Sequence, residues 1–254
     1  MLAVKYAERA GRRGEHFLGG DPHADSPMPM DYFVWVVAGG GRTWVVDTGF
    51  GPVDAERRGR VLLRSVDEAL ALVGVDAATV EDVILTHLHY DHAGGLGQFP
   101  GARFHVQDRE VAYATGRHMT HPALGQAFTA GHVAELVLAV HGGRVVFHDG
   151  DGELAPGLSL HHIGGHTDGQ QVVRVWTREG WLVLASDATH YYENVEQGRP
   201  FPIVFDVGAV LDGYRRLREL ADRDDLIVPG HDPLVLERFP TVDDRLTGIA
   251  VRLA

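Results

Sequence analysis

The chain has no cysteine among its 254 residues. That excludes disulfides, thiolate metal ligands and a cysteine nucleophile, so any metal must be held by histidine, carboxylate and water. No apolar run approaches the roughly 20 residues that span a bilayer, so no membrane role is expected. The amino terminus, "MLAVKYAERAGRRGEHF", lacks the apolar stretch of about 7–15 residues that marks a secretory signal, and a cytoplasmic location is expected from that. Basic residues are scarce: 23 Lys and Arg stand against 35 Asp and Glu, a formal charge of −12. Such a surface repels phosphate backbones, which argues against a nucleic-acid partner. Long linkers and low-complexity tracts are also missing. A single domain over residues 1–254 is therefore expected, with residues 1–31 an N-terminal extension packing on it.

What the chain does have is histidine, 16 residues of it. The densest group lies in "LTHLHYDHAGG", Leu85 to Gly95, directly after an apolar run. Alternate residues of extended chain point to one side, so His87 and His89 can face one ion while Asp91 and His92, beyond the turn, face a neighbour. Gly94 and Gly95 permit that turn.

The surrounding pattern interleaves strands and helices. "YFVWVVAGGGRTWVVDTG", Tyr32 to Gly49, reads as a β-hairpin. Apolar residues at Val61, Leu62, Val66, Ala69, Leu70 and Val73 predict a helix over Arg60 to Val73. Strands are expected at 82–86, 103–106, 144–147, 158–163, 171–176, 181–186 and 226–230, and helices near 109–115, 133–140 and 210–221. Two sheets packed together with helices outside satisfy this order.

Three further strand ends carry the same ligand types: His166 in "GGHTDGQ", Asp187 in "LASDATH" and His231 in "IVPGHDP". Five imidazoles and two carboxylates suit zinc or another borderline divalent metal, with positions left for water. They divide evenly over two ions sharing Asp187: His87, His89 and His166 on one, Asp91, His92 and His231 on the other.

In this order, "HLHYDH", "GGHTDG", "SDA" and "PGHD" resemble the metallo-β-lactamase superfamily, from Asp47 in "VVDTG" through His231. The resemblance implies an α/β fold, an αββα sandwich of two mixed β-sheets flanked by helices. The typical secreted β-lactamases commonly place a cysteine on the second zinc, and the di-iron flavoproteins usually carry glutamate where this chain has His89. The branch that the chain most resembles is the N-acyl homoserine lactonases.

That branch implies two Zn2+ ions (Fe, Mn or Co being alternatives) and a bridging hydroxide that opens a lactone ring. Asp91 would pass a proton to the leaving alkoxide, and Asp47 would buttress a ligand histidine. The substrate would be a small lactone with an apolar chain, lodged between "DSPMPMDYF" and "GRPFPIVF" or simply beside segments that pack on the sandwich. His118 and His121 are further candidates for the pocket wall. In known lactonases a tyrosine follows the bridging aspartate by three positions. Here His190 stands there, followed by Tyr191, so either could meet the substrate. Other readings are a metallohydrolase of esters, thioesters or β-lactams, or a mononuclear iron persulfide dioxygenase. Monomer and homodimer are both open.

Overall fold

The computed structural model describes residues 1–254. Thirteen strands form two sheets: β1 (Leu2–Arg9), β2 (Met30–Gly39), β3 (Arg42–Val46), β4 (Val61–Leu62), β5 (Asp82–Ile84), β6 (Arg103–Gln107), β7 (Val145–His148), β8 (Gly152–Ala155), β9 (Leu158–His162), β10 (Gln171–Thr177), β11 (Gly180–Ser186), β12 (Ile227–Pro229) and β13 (Ala250–Arg252). The first sheet runs β13-β1-β2-β3-β5-β6-β7, with β4 paired to β1, and the second runs β12-β11-β10-β9-β8. Both are mixed, and helices cover their outer faces. This is the expected αββα sandwich.

Period-two alternation on β2 builds it. Phe33, Trp35 and Val37 point between the sheets and pack in one cluster with Leu160 and Leu184. Tyr32, Val34 and Val36 point the other way, into a cluster with Leu70 and Leu136 from covering helices. A strand buried on both faces needs an unbroken apolar run, which "YFVWVV" supplies. Helix Val207–Leu220 closes the second sheet with Val210, Tyr214 and Leu217. No helix is long and apolar enough to cross a membrane.

Two expectations change. Leu2–Arg9 is no appendage: β1 sits between β13 and β2 in the first sheet, so only residues 10–29 form an excursion from the sandwich. A register shift between Lys5 and Ala7 breaks the alternation that would have marked this strand. The helix expected over 60–73 spans only Val66–Leu72, because Val61–Leu62 pairs with Glu8 and Ala7 of β1 instead. The Glu68 carboxylate then accepts from Ser65 N at 2.8 Å, fixing where the helix starts.

Strands β3 and β5 are parallel, as are β11 and β12, while β9 runs with β11 because both are antiparallel to β10. The loops leaving β3, β5, β9, β11 and β12 therefore gather at one end of the sandwich. Those loops hold Asp47, the "HLHYDH" stretch, His166, Asp187 and His231.

Candidate metal centre

Asp187 is the hub. Its Oδ2 lies 3.3 Å from His166 Nε2 and 3.8 Å from His87 Nε2. Its Oδ1 lies 2.9 Å from His231 Nε2 and 3.2 Å from His92 Nε2. His89 Nδ1 meets His166 Nε2 at 2.9 Å, two imidazole nitrogens converging on one point. Asp91 stands 3.8 Å from both His92 Nε2 and His231 Nε2. All seven side chains are buried. The ligand atoms of His87, His89, His166 and Asp187 lie within 4.8 Å of one another, as do those of Asp91, His92 and His231.

The residues fit a cation. His87 Nε2, His92 Nε2 and Asp187 Oδ1 are buried and make no properly aligned hydrogen bond despite their close contacts, a costly arrangement for polar atoms unless something else binds them. Burial, aided by neighbouring imidazoles, holds the His87 and His89 pKa values well below the ordinary range, which keeps their lone pairs free for a metal. Burial works against the charge on Asp187, yet the surrounding histidines hold its carboxyl well below the usual range. At His92 burial is likewise outweighed, by Asp187 and Asp47, and its pKa is pushed well up.

A second layer of bonds orients the ligands. Asp47 Oδ2 sits 2.7 Å from His92 Nδ1, while the same carboxylate accepts from Thr86 N and the Thr86 hydroxyl. His166 Nδ1 faces the Ile203 carbonyl at 2.8 Å, and His231 Nδ1 that of Asp31 at 2.9 Å. Glu110, fully buried, accepts from Leu88 N, Gly169 N and Thr167 Oγ1, tying the histidine loop to the His166 loop. Asp47 and Ser186 adopt left-handed backbone, with φ of 63° and 46°. Such strain in non-glycine residues is a mark of functional loops. Close packing also explains two glycines: a Cβ at Gly95 would collide with Thr48 O, and one at Gly230 would stand 2.6 Å from Asp187 Oδ1.

His190 joins the cluster. Its Nε2 is 3.0 Å from Asp187 Oδ2 and its ring stacks on Phe201 at 3.7 Å. Burial, only partly offset by Asp187, pulls its pKa down to about 3, so the ring is neutral around pH 7.

The Metallo-beta-lactamase superfamily model matches residues 28–231. The chain belongs to this superfamily. It is 32% identical over 181 residues to an N-acyl homoserine lactonase of a Bacillus species, spanning 68% of this chain and 66% of the relative, just under two thirds. An N-acyl homoserine lactonase of Bacillus cereus is 30% identical over the same shares. Among solved structures, a quorum-quenching N-acyl homoserine lactone lactonase superimposes with a TM-score of 0.74 over 91% of each chain at 23% identity. AidC, a dizinc quorum-quenching lactonase solved with a product, does so with a TM-score of 0.70 at 19% identity, over 91% of this chain and 87% of that one.

Within this superfamily fold, Tyr191 is not where the sequence suggested. Its hydroxyl donates to Pro29 O at 3.1 Å and its ring packs on His16 at 4.8 Å, away from the cluster. The chain bends between β11 and the helix Tyr192–Gln197, and of the two only His190 reaches Asp187. A cavity of about 60 Å³ opens over the cluster, walled partly by Met30, Phe201 and Ile203 from the two segments expected to form an apolar trough. His118 and His121 are not in its wall; His118 packs on Tyr113 and Phe205. Thr86, Glu110 and Ser186 are not foreshadowed by the sequence, because single polar residues at strand ends carry no spacing signal.

Proposed function

We propose that the chain is a dinuclear, zinc-dependent hydrolase that opens a lactone ring. The observation carrying this reading is the division of contacts across Asp187, whose two oxygens face separate sets of imidazoles. His87, His89 and His166 would hold one ion, Asp91, His92 and His231 the other, with Asp187 shared. Divalent ions held there supply an acidified water and a Lewis acid for the carbonyl.

The chain's own groups do the rest. Asp91 takes a proton from the attacking water and delivers it to the ring oxygen as the C–O bond breaks, releasing a hydroxy acid. His190 is neutral and clamped against Phe201, and its Nε2 faces Asp187 Oδ2 at 3.0 Å; with that carboxylate taken up by the ions, the single N–H would be the donor for the carbonyl oxygen as charge develops on it. Met30, Phe201 and Ile203 give apolar contact for a short carbon chain. The lactonase names of the relatives support the substrate class.

Metal analysis together with proton release on lactone, ester, thioester and β-lactam panels tests this. Two ions per chain and chelator-sensitive turnover dominated by lactones are expected. One iron per chain with oxygen uptake on a persulfide would replace the reading with an oxygenase.

A further inference from the structure

The cavity over the cluster has two unlike sides. One is the histidine and carboxylate floor. The other carries cations: Arg9 and Arg60 line it beside Tyr32 and Tyr90. Neither position is part of the ligand pattern, and the chain as a whole has a net charge of −12.

Arg60 is partly buried. It donates from Nε to the Tyr90 hydroxyl at 3.0 Å and from Nη1 to Arg58 O at 2.7 Å, and forms no ion pair with any carboxylate of the chain. Arg9 pairs only with Glu15, whose side chain is 48% exposed, and its Nε is buried without a hydrogen-bond partner. Arg60, drawn partly out of water with Asp91 nearby but no carboxylate in contact, is electrostatically incomplete, and Arg9 has only one solvent-exposed partner. The planar fork of a guanidinium matches a carboxylate through two parallel N–H···O bonds. Size narrows the ligand further. A volume of about 60 Å³ is far below the roughly 300–1,000 Å³ of pockets for drug-sized ligands, so the part of the ligand held between the arginines and the floor is compact.

We propose that Arg9 and Arg60 form a carboxylate-recognition wall, and that the substrate is a compact lactone bearing a carboxylate substituent. Water adds to its ring carbonyl, the ring C–O bond breaks, and a hydroxy dicarboxylate leaves. The lactone half rests on the function proposed above; the carboxylate half stands on the wall itself.

Two readouts separate the halves. Metal-loaded protein is titrated with glutarate and with pentanoate, which differ by one carboxylate. In parallel, kcat/KM is measured on a γ-lactone bearing a carboxylate and on the amide of the same compound. The charged member of each pair is expected to win by about tenfold or more at low ionic strength, the discrimination one charge-assisted pair supplies. Arg60→Gln and Arg9→Gln should each move the ratio toward unity, and Arg60→Lys should restore part of it. A wild-type ratio near unity in both readouts, or a ratio that survives Arg9→Gln combined with Arg60→Gln, overturns the proposal. Lactone turnover with no preference, and none for glutarate, removes the carboxylate wall and leaves the lactonase reading standing. No lactone turnover with the glutarate preference intact does the reverse. The wild-type ratios need no variant, so an unfolded arginine variant does not decide the matter.

Discussion

The floor of the cavity and the outer roof behind its Phe201 wall are built by different physics. On the floor, seven ligand side chains are buried and their outer atoms are fixed by Asp47, backbone carbonyls and a strained backbone. The roof, residues 10–29, does not line the cavity but packs behind it, His16 lying against Tyr191 and Phe201, and is otherwise tied down by ion pairs and a few main-chain bonds. Arg13 grips Glu193 and Asp21, Arg199 grips Asp21, and Leu18 N donates to Pro200 O at 2.7 Å; Asp21 is covered, but both arginines and Glu193 keep access to water. Buried polar groups lose much when a partner goes, whereas partly exposed ion pairs lose little. The floor should therefore be brittle and the roof forgiving.

The strongest way to break that contrast is to change the hub. His87→Ala and Asp187→Asn should each lower kcat/KM by about a thousandfold or more, with metal content below that of wild type by elemental analysis. Near-normal activity in either would mean that the floor is not the reacting centre. His190→Phe keeps the stack on Phe201 but removes the nitrogen. A drop of about a hundredfold in kcat with little change in KM is expected from loss of a transition-state donor; a KM effect alone would make His190 a binding group. Asp47→Asn leaves the shape of the second layer and removes its charge. Metal affinity, measured by competition with a chelator, should weaken by about 10- to 100-fold.

The same contrast explains what could be read from the sequence. Floor residues announce themselves because metal binding demands particular side chains at strand ends, and no ordinary packing demand would place "HLHYDH" and three later ligands in that order. The hairpin and central strands were legible for a related reason: a strand buried on both faces needs a run such as "YFVWVV". Recognition at the cavity wall has no such grammar. Arg9 and Arg60 lie 51 positions apart, one on β1 and one just before β4, and only the pairing of Ala7 and Glu8 with Val61–Leu62 brings them to one wall. Tyr191 misled because position in the chain suggests a neighbourhood but not the side on which a ring emerges.

Acidification probes the roof from within. His16 is buried between Tyr191 and Phe201, faces Met28 O at 2.9 Å through Nε2, and has no partner for Nδ1. Burial lowers its pKa to about 4 from 6.5. Between those values the unfolded chain binds a proton that the folded chain refuses, so this residue's contribution to stability falls as pH falls. Urea unfolding at pH 7 and near pH 4.5 should show a smaller acid loss in His16→Gln than in wild type. Parallel losses would mean that the roof does not sense protons through His16.

The smallest effect is expected where the roof meets the helix Tyr192–Gln197. Arg13 makes a two-pronged contact with Glu193, at 2.8 and 2.6 Å, but both side chains keep access to water, and Arg13 also holds Asp21. Glu193→Gln removes one of these charges and leaves Leu18 N on Pro200 O and Asn194 on the His16 carbonyl. The loss should be at most about 1 kcal/mol, which is up to about a fivefold gain in local opening. Hydrogen exchange reads this directly. The Leu18 amide should exchange faster by that factor, while the Thr86 amide, bound to Asp47 Oδ1 at 2.7 Å, should be unchanged. Equal acceleration of both amides would mean that floor and roof open as one unit, and the division between a rigid metal floor and a loosely tied cover would have to be abandoned.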